Sequence, residues 1–173
     1  DCPICCLPMS LDETKSTMMT CCSKKICDGC VHSYKMRIYQ EKLERICPFC
    51  RHPAPKPEAK EELDRNLMKR VNANDPAAMA QMSFRRHEEG GYDDAFRYAK
   101  KAAELGHADA HFNLSVYIYE GRVVEKDGKK RVYHLEQAAI RGHATARYNL
   151  GCAEEENGRM DRAVKHWIIA AKL

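Results

Sequence analysis

TCCSKKICDGC, residues 20–30, holds four cysteines, two of them adjacent. The distribution of the other cysteines decides how the stretch is read. Of ten cysteines in 173 residues, nine precede residue 51 and only Cys152 lies beyond it. Three CxxC pairs, Cys2/Cys5, Cys27/Cys30 and Cys47/Cys50, repeat a spacing that turns two thiolates towards one ion within a tight knuckle. Pro3 and Pro48 stiffen two of these turns and Gly29 relaxes the third. Disulfide frameworks do not favour that repetition, so the pattern predicts bound zinc and, with it, a reducing intracellular compartment, the cytoplasm.

Adjacent Cys21 and Cys22 can face one ion only if the backbone turns between them, because neighbours on an extended strand point to opposite faces. Cys6 and His32 compete with them as ligands; otherwise Cys6 is a small apolar residue beside its knuckle and His32 a surface helix residue. The residues up to 51 carry Ile4, Leu7, Ile26, Val31, Ile38, Leu43, Ile46 and Phe49, too little apolar surface to offset chain entropy without metal. A zinc held by four thiolates has no open position, which excludes metal-activated water, and bound thiolates are poor acyl carriers.

Composition narrows the function further. Hydrophobic residues at 44% and charged residues at 31% suit one or two ordinary folded domains. A net charge of +4 builds no phosphate-tracking surface, so nucleic acid is not an expected partner. No apolar run reaches the ~20 residues of a membrane span. The chain opens at Asp1, with a candidate ligand in second place and no initiating Met, and so reads as an excerpt from a longer protein.

The ligand order over residues 1–51 resembles the RING finger family. In that family the first and third ligand pairs hold one zinc, and the second and fourth hold another, as a cross-brace. The resemblance implies two structural zinc ions, one on Cys2, Cys5, Cys27 and Cys30 and one on Cys21, Cys22, Cys47 and Cys50. Lys24 falls where the common pattern has histidine, and an ammonium has no lone pair for zinc. The resemblance further implies that Ile4 and Pro48, with a helix after Cys30, dock a ubiquitin-conjugating enzyme. Within VHSYKMRIYQEKLERI, Val31, Tyr34 and Ile38 have helical spacing, and Met36, Tyr39 and Leu43 are candidates for the docking groove. Arg51 comes directly after the last ligand, where active members carry a basic residue that positions ubiquitin without forming a covalent intermediate.

Residues 52–73 read as a linker and connecting helix. HPAPKPEAKEEL begins as a stiff, proline-rich stretch, with Pro57 suited to a first helical turn. Leu63, Leu67 and Val71 then recur on one face, which predicts a helix docked on the segment beyond residue 73. It ends before Asn74, Asp75 and Pro76, a cap with proline at the first helical position.

Residues 74–173 repeat themselves. PAAMAQMSFRRHEEGG, ADAHFNLSVYIYEG and ATARYNLGCAEEENG align, as do AFRYAKKAAELGH, RVYHLEQAAIRGH and AVKHWIIAAKL. The spacing is 36 from Gly106 to Gly142 and from Asn113 to Asn149, while the first and third copies are about four residues shorter at the inner turn. Such a period predicts an all-α solenoid of three helix-turn-helix repeats, 74–106, 107–142 and 143–173. Small Ser83, Ser115 and Gly151 allow close helix crossing, and Gly106 and Gly142 stop a helix in the left-handed conformation.

The copies resemble Sel-one-like repeats, relatives of tetratricopeptide repeats, with Ser115 in place of the family's usual glycine. The third copy lacks its terminal Gly, which predicts partly bared Trp167 and Ile168 and a continuing chain. His107, His134, His143 and His166 fit repeat packing, and Cys152, aligned with Val116 and Phe84, fits a buried apolar position. Together the resemblances imply a RING-type ubiquitin ligase that binds a protein or peptide substrate, or an adaptor, on its helical repeats. The alternative is a non-catalytic zinc-binding scaffold.

Overall fold

The computed structural model describes residues 1–10, 15–53 and 60–173. Pro55 and Pro57, on which the stiff-linker expectation rests, lie outside these residues. The chain divides into two compact units, Asp1–Ala73 and Asn74–Leu173.

In the first unit, β1 (Ser16–Met19) pairs antiparallel with β2 (Lys24–Cys27), Ser16 opposite Cys27 and Met19 opposite Lys24. Residues 20–23 make the turn. The Cys22 and Ser23 amides both donate to the Met19 carbonyl, at 3.2 and 2.7 Å, and Ser23 takes a φ of 53°. That turn is the bend adjacent Cys21 and Cys22 require. Strand β2 runs directly into α1 (Asp28–Glu41), which packs on both strands and ends where Lys42 turns left-handed and the Leu43 amide bonds the Ile38 carbonyl at 3.1 Å.

Buried Cys2, Ile26 and Val31 form the core here, flanked by Met9, Met19 and Phe49. Three apolar residues counted in the sequence are on the surface instead: Ile4 is 44%, Leu7 63% and Leu43 47% exposed. So small a core makes the sulfur-bearing loops its neighbours rather than its decoration. Helix α2 (Lys60–Asn72) buries Leu67 and Val71, with Leu63 half-buried.

The second unit is a stack of six helices: α3 (Pro76–Glu88), α4 (Tyr92–Glu104), α5 (Ala108–Glu120), α6 (Gly128–Ile140), α7 (Ala144–Glu156) and α8 (Met160–Ala170). Each packs on its neighbours in the chain. Asp75 caps α3, its carboxylate accepting from the Ala77 amide at 3.0 Å, with Pro76 at the first helical position. Gly106 and Gly142 have φ of 82° and 85°, a conformation glycine adopts without Cβ strain. Alanine dominates the interior, with Ala95, Ala99, Ala110, Ala138, Ala146 and Ala163 all fully buried, so neighbouring helices approach closely.

The three small crossing residues work differently. Ser83 donates across to the Ala95 carbonyl at 2.7 Å, whereas Ser115 donates to the Phe112 carbonyl of its own helix at 2.6 Å. Gly151 meets the Trp167 ring, whose Nε1 lies 2.3 Å from where a Cβ would stand. The next register position is less buried than the sequence suggests: Cys152 and Val116 are half-buried and Phe84 is 55% exposed. One residue further along a helix is about 100° further round, off the buried stripe.

Among the described residues, no helix is long and apolar enough to cross a membrane. Gly151→Ala is expected to destabilise the second unit by about 1–2 kcal/mol, because overpacking against Trp167 outweighs the helix-propensity gain of ~1 kcal/mol. Gly128→Ala, with nothing within 4 Å of its Cβ, is expected to be neutral or stabilising. Urea titration of both variants measures the contrast.

Candidate functional site

Eight cysteine sulfurs gather into two groups, Cys2/Cys5/Cys27/Cys30 and Cys21/Cys22/Cys47/Cys50, with all four sulfurs of a group within 4.8 Å of one another. The members alternate along the chain, so neither group can assemble without the other's loops in place. The first pair and the last sit on matching knuckles. In one the Cys6 amide donates to the Cys2 carbonyl at 2.8 Å, and in the other the Arg51 amide donates to the Cys47 carbonyl at 3.0 Å. Cys6 and Arg51 therefore hold the same backbone position, with φ of 59° and 56°. The third pair spans the first turn of α1, Cys27 as N-cap and Cys30 three residues on. The second pair is the hairpin turn. The Tyr34 hydroxyl ties α1 to the fourth by donating to the Ile46 carbonyl.

Cys6 and His32 belong to neither group and are exposed. Lys24 is exposed as well. Ile4 and Arg51 are exposed and Pro48 half-buried, all on the knuckles.

The donor sets fit zinc. Sulfur–sulfur distances are 3.8 Å between Cys5 and Cys27, 3.7 Å between Cys22 and Cys47, and 3.4 Å between Cys21 and Cys50. A tetrahedron with Zn–S bonds of ~2.3 Å has edges of about 3.8 Å, whereas a disulfide needs ~2.05 Å. All ten cysteines are free of disulfides. Ionisation is uneven within each group. The Cys27 and Cys5 backbone amides hold the Cys2 thiol down to about 6, whereas burial, with hydrogen bonds to Cys27 and Cys5, pushes Cys30 up to about 12. In the other group burial pushes Cys21 and Cys22 up. Burial opposes ionisation of Cys47 too, but the Cys50 and Phe49 amides outweigh it and bring that thiol down. Four thiolates share so small a space only with a cation among them.

The second unit contains a site the sequence does not announce. A cavity of about 920 Å³ lies between α4, α5, α6 and residues 121–127. This turn has seven residues, whereas the matching turns 89–91 and 157–159 have three; the sequence shows the difference in length but not the cavity. Arg122 stacks over Tyr92 at 4.7 Å and Arg131 over Tyr119 at 4.5 Å, securing the turn's flanks. In the cavity His111 Nδ1 and His134 Nδ1 are 3.0 Å apart. Their ring centroids are 5.3 Å apart, so the N···N line runs nearly through both rings: one shared proton, not two lone pairs converging on an ion. Burial first, then the charges of His134 and Arg141, lowers His111 to about 4; burial also lowers His134 and His166. His143 has a structural task, its Nδ1 accepting from the Ala146 amide at 3.0 Å while its ring stacks on Phe112.

No protein-family model matches the chain, and no curated protein matches it. Among solved structures it is similar to a Sel1 repeat protein from Oxalobacter formigenes, with TM-score 0.60 and 24% identity, over 65% of this chain and 49% of that one. It is also similar to a protective antigen of uropathogenic Escherichia coli strains displaying an SLR fold, with TM-score 0.60 and 25% identity, over 64% of this chain and 26% of that one. The chain thus spans about half the length of the first and a quarter of the second. The helical repeats have the Sel1-repeat type of fold, a fold suited to protein–protein interaction.

Metal analysis of the zinc-loaded protein is expected to fall from two ions to one in Cys21→Ser and in Cys22→Ser and to stay at two in Cys6→Ser and His32→Ala, with chelation erasing the circular dichroism of α1. For pH, His111 is held below its ordinary value of 6.5, so the unfolded state binds more protons as pH falls. Stability of the second unit should therefore be complete above pH 6.5 and decline towards about 4, the stretch above 4.5 being free of the depressed carboxylate of Glu154. Thermal melts of His111→Gln should decline less over that interval.

Proposed function

We propose that the first unit is a RING-type zinc module and that the protein is a ubiquitin ligase, its helical repeats holding a substrate or adaptor protein. The observation that carries this reading is the alternation of two four-sulfur groups along about 50 residues, which matches the cross-brace order of that family. Cys2, Cys5, Cys27 and Cys30 would hold one zinc, and Cys21, Cys22, Cys47 and Cys50 the other. When bound, each ion supplies cross-linking and charge neutralisation only, since four thiolates leave no open position.

The work of the chain is then recruitment. Ile4 at 44% exposure, with Met36 at 43%, Tyr39 at 82% and Leu43 at 47%, offers apolar surface unusual for so small a unit, suited to a ubiquitin-conjugating enzyme. Pro48 stiffens the matching knuckle. Arg51 leaves the backbone from a positive φ, exposed and next to the last sulfur. Its planar five-donor guanidinium suits bridging between the conjugating enzyme and ubiquitin. Holding the thioester-linked ubiquitin in one orientation lowers the barrier through proximity. Lys24 in place of the usual histidine favours the second reading, a scaffold without activity.

Ubiquitin-chain formation with a panel of conjugating enzymes separates the two. The wild type should form chains, and Ile4→Ala/Arg51→Ala should lose at least tenfold in rate. Arg51→Gly, which the positive φ tolerates, should keep two zinc ions and full thermal stability while losing rate. Equal activity of wild type and the double variant would leave only the scaffold.

A further inference from the structure

The cavity of the second repeat makes the partner more specific, given the proposal that the repeats hold a protein. We infer that this cavity binds a short extended peptide segment through a single carboxylate, with Arg141 as its anion-binding residue and residues 121–127 as its outer wall.

Length comes first. The lining runs along α6 from Lys130 to Arg141, about 16 Å at a helical rise of ~1.5 Å per residue. An extended chain advances ~3.3 Å per residue, so about five residues fit. The floor is apolar, with Leu114 and Ile118 buried and Phe96 and Val124 beside them.

Charge comes second. Arg141 occupies the register of Leu105, 36 residues earlier. Its Nη1 donates to the Gln137 carbonyl at 2.7 Å and to Gln137 Oε1 at 2.9 Å, which holds the guanidinium in place. Among the described residues it has no carboxylate partner. The residue is exposed, and its Nε and Nη2 edge faces the Gly106 turn, 3.7 and 3.8 Å from where a Cβ of Gly106 would stand. Two parallel N–H donors on a fixed plane match a carboxylate.

The remaining charges limit how anionic the ligand can be. Lys130 is committed to Asp127 at 3.5 Å. Lys100 and Lys126 line the cavity, but so do Glu104 and Glu125, which repel a uniformly acidic segment. One carboxylate on a largely neutral, apolar peptide is the ligand that satisfies both. The ring nitrogen of His134 not shared with His111 can meet the backbone of such a chain, whose amides need partners once desolvated.

The test uses the full zinc-loaded chain and fluorescein-labelled pentapeptides of leucine and serine, read by anisotropy. Three probes separate the sources of the carboxylate: a free C-terminus, the C-terminal amide, and the amide with one internal glutamate. At least one carboxylate probe should bind about tenfold more tightly than the plain amide. Arg141→Gln should abolish that difference and leave the amide's affinity unchanged. Removing residues 122–125, which restores a three-residue turn, should abolish binding of every probe while preserving helical circular dichroism. No binding, equal binding of carboxylate and amide, or an Arg141→Gln variant that still discriminates would overturn the inference. If Arg141→Gln and the shortened turn still retain a protein partner of the repeats in a pull-down, the broader reading survives without this cavity.

Discussion

Four thiols confined within 4.8 Å of one another cannot all ionise unless a positive charge stands among them. The first unit depends on how that conflict is resolved. Its core is little more than Cys2, Ile26 and Val31, so one of the most buried residues is itself a member of a sulfur group. With a metal bound, packing and ligation would be the same contacts in this unit. Backbone amides on the two knuckles and the N-terminus of α1 already favour thiolate at Cys2 and Cys47, while burial pushes Cys21, Cys22 and Cys30 up. A divalent ion turns mutual repulsion into four bonds, with a free energy of ~10–16 kcal/mol in comparable small zinc domains.

The second unit is held by a different limit, the distance of closest approach between helices. Alanine at the contacts, Ser83 bonded across to the Ala95 carbonyl and Gly151 beneath the Trp167 ring let backbones come near without voids. A stack built this way has no single centre, and each repeat needs only its neighbours. It can accept four extra residues in one turn without disturbing the others, and the cavity of the second repeat arises where that happens. Two units with such different sources of stability should respond separately to insult, the first to chelators and the second to acid.

These two modes of stabilisation suit the proposed division of labour. On that proposal, a closed metal site beside exposed Ile4, Met36, Tyr39 and Leu43 would serve as a docking platform rather than a reaction centre. A solenoid with Arg141 and an apolar floor in one cavity would in turn receive a chain segment. On this reading the chemistry belongs to the proteins that the two units bring together.

Much of this was legible from residue spacing. CxxC pairs point to ligands because a knuckle needs two intervening residues whatever surrounds it, and the six cysteines singled out by that spacing all fall within the two groups. The 36-residue period and the Asp75–Pro76 cap are local too, fixed by the helical repeat and by proline's missing amide. What spacing left open was whether Cys6 or His32 displaces Cys21 or Cys22. The hairpin brings Cys21 and Cys22 together, through Ser23 in the left-handed region and two amides on the Met19 carbonyl. Tertiary structure alone decided the exposure of Leu7 and Phe84, the pairing of His111 with His134, and the cavity that Arg141 lines. Local rules govern what one segment does by itself; a hydrogen bond between two histidines and a cavity lined by three helices exist only where segments distant in the chain meet.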